Sequence, residues 1–160
     1  MTDHTIIQQP SADTLTPPEI AQRILAANEK RARLPLRSLI VLGVLGGMYI
    51  GFGGALATLA LTDGHLGFGL GRLAAGVAFS LGLVMLVIAG GELFTGNNLM
   101  VLALASGKVS ARCIWRNWGT AYAANAAGAV LLALAIHHTG VLESGGVKAT
   151  AVKIAEGAPG

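Results

Sequence analysis

The segment 90–100, Gly-Gly-Glu-Leu-Phe-Thr-Gly-Asn-Asn-Leu-Met, is the feature that most constrains how this chain can fold. It places two glycines, a carboxylate and two asparagines at the end of an uncharged stretch, 73–91, and more apolar residues follow up to Ala105. Irregular polar backbone at membrane depth persists only where it is buried in protein or lines a water-filled cavity. The sequence therefore predicts a transmembrane helix that is broken near Gly90 and belongs to a permeation path.

The composition is that of a membrane protein. Of the 160 residues, 53% are hydrophobic and 12% are charged, whereas soluble domains carry about 25% charged residues. The net charge of +3 comes from basic residues that lie beside apolar stretches, which indicates membrane topology rather than nucleic-acid binding. The single cysteine excludes an internal disulfide framework and a multi-thiolate metal site within one chain. No catalytic residue, metal site or cofactor is predicted.

Three apolar spans are expected. Residues 38–62 carry no formal charge and suffice to cross roughly 30 Å of hydrocarbon. The second span begins at Leu73 after a glycine-rich connector, breaks at Gly90 and resumes to about Ala105. The third span covers 117–138, after a basic connector. The sequence thus predicts an all-α integral membrane protein whose transmembrane region is 38–138, with three transmembrane helices and a broken second helix.

Two flanking segments complete the domain organisation. Residues 1–37 are interpreted as a flexible tail followed by an amphipathic helix, 17–31, because Thr16-Pro17-Pro18-Glu19 resembles a capping box with proline at the first helical position. This helix lies either on the membrane surface or in solvent. Residues 139–160 are interpreted as a polar, extracytoplasmic tail.

The distribution of basic residues predicts the orientation. Five precede the first span and three lie between the second and third, whereas the connector between the first two spans contains only Arg72. The positive-inside rule then places the N-terminus and the 106–116 connector in the cytoplasm of a multi-pass inner-membrane protein. Lys148 and Lys153 weaken this asymmetry without reversing it.

Small residues form a stripe along the first span. Gly43, Gly47, Gly51 and Ala55 recur at a spacing of four residues, which lets another helix approach closely. The stripe is interpreted as a packing surface, with a direct role in a pore as the alternative.

The polar residues near the break need partners. A carboxylate at the depth of Glu92 costs at least a few kcal/mol unless it is paired or hydrogen-bonded, so we expect it to accept hydrogen bonds from backbone N–H groups that the break frees. Asn125, within the third span, is expected to bond across helices or to the broken segment. Trp118 is interpreted as an interfacial anchor.

The order and spacing of several blocks resemble a known family, the formate/nitrite transporters. The resemblance runs from about residue 16 to 156 and rests on Phe79-Ser80-Leu81-Gly82-Leu83, on the 90–97 run, on Ser106-Gly107-Lys108, and on Arg116-Asn117-Trp118 with Asn125 and Gly128. It implies half of an aquaporin-like inverted repeat of six helices, in which a broken second and a broken fifth helix face each other. It also implies pentamers with one pathway per protomer.

The resemblance further implies which residues form the pathway. Phe94 and Thr95 would lie in the loop of the break, where Phe79, Leu83 and Phe94 form apolar constrictions and Thr95 offers a hydroxyl to a passing anion. Around them, a second set would shape the break: Gly90, Gly91, Glu92, Gly96, Asn97 and Asn125. Half-helix N-termini carry partial positive charge and favour a small anion near the midplane.

The chain also departs from the family pattern. The family's pore histidine belongs to the fifth helix, and none of the four histidines here matches it. A basic residue usual just after Glu156 is missing, and the chain reads Gly157-Ala158-Pro159-Gly160, which is interpreted as a truncation or an altered reading frame. The main hypothesis is therefore transport of a small monovalent anion such as formate or nitrite, linked to a proton in the intact parent. The alternative is a truncated membrane fragment that acts only by packing with other subunits.

Overall fold

A computed structural model describes residues 15–62 and 64–157, which fold into helices joined by short turns. The tail expected over 1–14, residue 63 of the first connector and residues 158–160 lie outside this description. The α-helices are α1 (Pro17–Ala32), α2 (Leu36–Thr62), α3 (Gly67–Ala89), α4 (Phe94–Asn97), α5 (Met100–Ala105), α6 (Ala111–His138) and α7 (Val147–Glu156). Turns of 3₁₀-helix cover Gly64–Leu66 and Val141–Glu143.

Three of these elements are long and apolar enough to cross a membrane: Leu36–Thr62, Gly64–Ala89 and Ala111–His138. The all-α membrane fold and its three spans are therefore confirmed. The second and third spans begin earlier than predicted, because Gly67 to Arg72 and Ala111 to Arg116 are helical rather than connecting segments. Continuing the helix supplies backbone partners that hydrocarbon lacks.

α2 is the central helix, and α6 packs against its stripe of small residues. A Cβ atom at Gly43 would lie 2.6 Å from the Cβ of Ala124, and one at Gly47 would overlap the backbone carbonyl of Asn125. In the other direction, a Cβ at Gly128 of α6 would overlap the carbonyl of Val44. The stripe is confirmed as a packing surface, and its partner is a helix of the same chain.

Glycines on both helices also bring α3 close to α2. A Cβ at Gly53 would lie 2.7 Å from the carbonyl oxygen of Phe79, and a Cβ at Gly82 would lie 2.5 Å from that of Tyr49. The two backbones therefore touch where α2 and α3 cross, as glycine at such a crossing permits. α2 thus holds both of the other spans through glycine rather than through large side chains.

α1 begins at the capping box that the sequence predicts. The backbone N–H and the hydroxyl of Thr16 donate hydrogen bonds of 2.8 and 2.7 Å to Oε2 of Glu19. Those two bonds hold the pKa of Glu19 below its usual value, and the bond from the hydroxyl has the larger effect. Because these bonds stabilise the ionised carboxylate, their contribution to the stability of the fold is present at neutral pH. It is lost as the pH falls through the lowered pKa.

The C-terminal end of α1 is fixed to the spans, which neither interpretation of this helix anticipated. Ala32 packs with Met100 and Ile114 in a small buried cluster. Arg116 of α6 donates hydrogen bonds of 2.9 and 3.2 Å to the backbone carbonyls of Ala32, the last residue of α1, and of Leu34. The carbonyl of Ala32 is among those that a helix end leaves unpaired.

The segment after the third span is not the simple polar tail of the prediction. It contains α7, which packs against α2. Val147 is buried, and both Gly146 before the helix and Gly157 after it have positive φ angles, 84° and 65°. The helix was not predicted because it has only ten residues, most of them small, with two lysines among them.

Candidate permeation site

The break follows directly from the two glycines. α3 ends at Ala89, and Gly90 adopts the left-handed conformation with a φ of 69°, which glycine adopts at no steric cost. The N–H of Gly91 still bonds to the carbonyl of Leu86 at 2.9 Å, but that of Glu92 turns away to the carbonyl of Leu42 on α2, at 3.1 Å. The chain is therefore redirected onto α2 within two residues.

Asn125 on α6 closes the hydrogen bonding of the break. Its Nδ2 donates to the carbonyl oxygens of Gly43 and Glu92, at 2.7 and 2.9 Å. Its Oδ1 accepts a bond of 2.9 Å from the N–H of Phe94. One side chain thus joins α2, α6 and both sides of the break, and makes both kinds of contact that the sequence left open for it.

A second polar chain holds the far side of the break. Nδ2 of Asn97 donates to Oδ1 of Asn117 at 2.8 Å, and Nδ2 of Asn117 donates to the carbonyl of Arg31 at 3.4 Å. Both asparagines are fully buried. No role for Asn117 is predicted from the sequence, although an amide at the start of a membrane span needs a partner and by itself indicates that one exists.

Trp118 contacts the break rather than serving only as an anchor in the interface. Its indole Nε1 donates a hydrogen bond of 3.0 Å to the carbonyl oxygen of Asn97. Its ring also meets that of Phe94 edge to face, with centroids 6.1 Å apart. This specific contact was not predicted, because tryptophan has a general tendency to lie at the membrane surface.

The carboxylate of Glu92 has a different partner from the one expected. Only 5% of the residue is exposed, and its Oε1 lies 3.4 Å from Nε of Arg31 on α1. Among the described residues no backbone N–H donates to this carboxylate, so the predicted bracing by freed amides is wrong. The backbone N–H groups of Glu92 and Phe94 instead donate to Leu42 and Asn125. The carboxylate is paired with the guanidinium of Arg31.

The four residues proposed for the pathway occupy two places. Phe79 and Leu83 lie one turn apart on α3, 39% and 40% exposed. Phe94 and Thr95 begin α4; Phe94 is half-buried against Trp118 and Tyr122, whereas Thr95 is exposed. Gly96 is half-buried one residue further on. The side chains of Phe79, Leu83 and Thr95 are thus left facing outward from this chain, and the contact of Tyr122 with Phe94 was not foreseen.

The ion pair gives a first prediction. Replacing Arg31 by methionine should lower the free energy of unfolding by about 2 kcal/mol, since it leaves the buried Glu92 carboxylate uncompensated; partial exposure of Arg31 keeps the loss below that of a fully buried pair. Adding Glu92→Gln should restore most of it. Unfolding in detergent, followed by circular dichroism, measures the cycle.

Arg33 provides the matched control, because it pairs with Glu29 on the exposed side of α1 at 3.1 Å. Arg33→Met should cost well under about 1 kcal/mol. Equal losses in the two arginine variants would contradict the assignment of Arg31 to the break.

Comparison with the sequences of known proteins identifies a family. The sequence profile described as "Formate/nitrite transporter" matches residues 18–158. The chain is 38% identical to an uncharacterized transporter, YrhG, of Bacillus subtilis, over 88% of this chain and 54% of YrhG. It is 38% identical to a probable formate transporter of Methanothermobacter thermautotrophicus, over 88% and 53%, and 34% identical to the formate channel BtFdhC of Bacillus thuringiensis, over 88% and 55%. The chain spans about half the length of these curated relatives, and it belongs to the formate/nitrite transporter family.

Proposed function

We propose that this chain provides the broken-helix half of a transporter for small monovalent anions such as formate or nitrite. The observation that carries the proposal is the break itself: irregular backbone directly after an apolar span, held by Asn125, with Thr95 exposed beside it. Such backbone is tolerated in a membrane where it lines a cavity. The family membership and the names of two relatives, a formate channel and a probable formate transporter, support the same class of substrate.

The chemistry of the exposed residues suits a weak-acid anion. Thr95 offers a hydroxyl donor, and the first turn of a helix has backbone N–H groups without partners inside the helix. Phe79 and Leu83 present apolar surface that makes a bare anion expensive. A weak acid lowers this cost by crossing with its proton, so the transport is proton-linked.

The remaining architecture is proposed on the same basis. A complementary half, related by an inverted repeat, would complete the pathway against the exposed face of Phe79, Leu83 and Thr95, because a site between two repeats needs both. The protein would lie in the inner membrane with its N-terminus in the cytoplasm and assemble as a pentamer. α1 and the 106–110 turn would then face the cytoplasm, and α7 the opposite side.

Thr95 gives a second prediction, made for the full-length protein that contains this chain. Thr95→Ala should reduce formate influx into proteoliposomes about tenfold, since a hydrogen bond to a charged group contributes about 1.5–3 kcal/mol. Thr95→Ser keeps the hydroxyl and should retain most of the flux. Stopped-flow measurement of formate-driven changes in internal pH reports both.

The outcomes separate the hypotheses. Unchanged flux in Thr95→Ala would contradict the role of this hydroxyl while leaving anion transport intact. Flux no higher than in empty liposomes, for both formate and nitrite, would overturn the proposed function. If the full-length gene product proved to be this chain alone and carried no flux, a non-transporting membrane protein that packs with other subunits would be the better description.

A further inference from the structure

A cavity of about 550 Å³ lies at the end of the spans remote from α1, where α7 passes the turn between α2 and α3. Its walls include Leu61 of α2, Phe68 and Arg72 of α3, and Lys153 and Ile154 of α7. It is separate from the break, which lies at the other end of α3. Nothing in the proposed transport path uses it.

Among the residues that the structure describes, two cations and no carboxylate line this cavity. Arg72 is the only charged residue of α3, and Lys153 reaches the same space from α7. The ion pairs of the described residues join Arg31 to Glu92 and Arg33 to Glu29, so neither cation of the cavity takes part in one. A cation inside an apolar span is costly unless it is compensated, and a second cation beside it adds repulsion. The two cations therefore favour the binding of an anion.

Arg72 lies at a depth from which its side chain can reach an anion in the headgroup layer. It lies five residues after the start of α3, about 8 Å along the helix axis, a depth from which a long side chain can extend to the headgroup layer. Its guanidinium carbon lies 5.0 Å from the centre of the Phe68 ring, a cation–π contact that fixes its position. Arginine so placed presents a planar set of donors that matches a phosphate.

The rest of the cavity favours a lipid over a free anion. Leu61, Phe68 and Ile154 form an apolar wall, and the surface next to it is apolar as well, with Phe68 76% and Leu70 and Leu73 each 64% exposed. A small inorganic anion would satisfy the charges and leave this wall uncovered. A phosphate carried on an acyl chain satisfies both.

We propose that Arg72 and Lys153 bind the phosphate of an anionic phospholipid, whose acyl chain lies against Leu61, Phe68 and Ile154. The site ties α7 to the start of α3 through the lipid and goes beyond the proposed transport function, since no residue of the break takes part. Each cation near a membrane surface favours an anionic lipid by about fivefold. The pair is therefore expected to give a preference of about 25-fold.

Native mass spectrometry of the full-length protein tests this site. The protein is released from nanodiscs containing equal amounts of phosphatidylglycerol and phosphatidylcholine with identical acyl chains. The wild type should retain phosphatidylglycerol preferentially, and Arg72→Gln combined with Lys153→Gln should lose the preference. Lys148→Gln, on the same helix but outside this cavity, should keep it. Because the double variant alters α3, the single variant Lys153→Gln provides a second measure, with an expected loss of about fivefold.

Three results would overturn the proposal. The first is the absence of any phosphatidylglycerol preference in the wild type, as would follow if another part of the full-length protein covered the cavity. The second is an equal loss of preference in Lys148→Gln, which would indicate a diffuse surface charge. The third is displacement of the lipid by millimolar inorganic phosphate, which would identify a site for a free anion. Lipid retention in the presence of phosphate, lost only in the cavity variants, supports it.

Discussion

Gly47→Ala is expected to separate α6 from α2 and to lower the free energy of unfolding by about 3 kcal/mol, the upper part of the range for overpacked cores. The added Cβ would overlap the backbone carbonyl of Asn125. A backbone atom cannot rotate away as a side chain can, so the whole helix would have to move. That movement would also displace the Asn125 side chain from the break.

Gly54 provides a control on the same helix, because a Cβ there would meet no atom within 4 Å. Gly54→Ala should be neutral or slightly stabilising, since alanine has the higher helix propensity. Thermal unfolding in detergent and monodispersity on gel filtration compare the two variants. Similar behaviour of Gly47→Ala and Gly54→Ala would mean that the helices have room the structure does not show.

Asn125→Leu is the second substitution with a large expected effect. It removes the bonds to the carbonyls of Gly43 and Glu92 and to the N–H of Phe94. Leaving a buried polar group without a partner costs about 1–3 kcal/mol, so a loss of about 3–5 kcal/mol is expected. Anion flux in the full-length protein should fall with it, because Phe94 and Thr95 lose their anchor.

Asn98 offers the matched comparison, since it is exposed in the turn after α4. Asn98→Leu should change the free energy of unfolding by less than about 0.5 kcal/mol. Unfolding in detergent and proteoliposome flux are measured on both variants. An Asn125→Leu protein with wild-type stability and flux would show that the break is held by other contacts.

The spans and the break could be predicted because each depends on local sequence. Hydropathy marks α2, and the change from apolar residues to Gly90 and Gly91 marks the end of α3, as the left-handed Gly90 confirms. The capping of α1 by Thr16 and Glu19 is equally local. The resemblance to the family added the order of the sequence blocks along the chain to these predictions of single helices.

The partners across the fold could not be predicted in the same way. Arg31 lies on α1 and Glu92 in the break, and no periodicity of the sequence relates them. The sequence therefore indicated only the nearby backbone N–H groups as donors to the carboxylate. Trp118 fits a general preference of tryptophan for interfaces, which concealed its bond to Asn97. The stripe through Gly43 and Gly47 predicts close packing, but its pattern contains nothing that says which helix packs there.

The dependence of the break on Asn125 has a consequence for biosynthesis. Because a nascent chain emerges from its N-terminus, the N–H of Phe94 is made 31 residues before the side chain that accepts from it. Hydrocarbon offers no substitute partner in the meantime. The second span must therefore remain hydrated or continuously helical until the third span leaves the ribosome, and the break can form only once Asn125 is present.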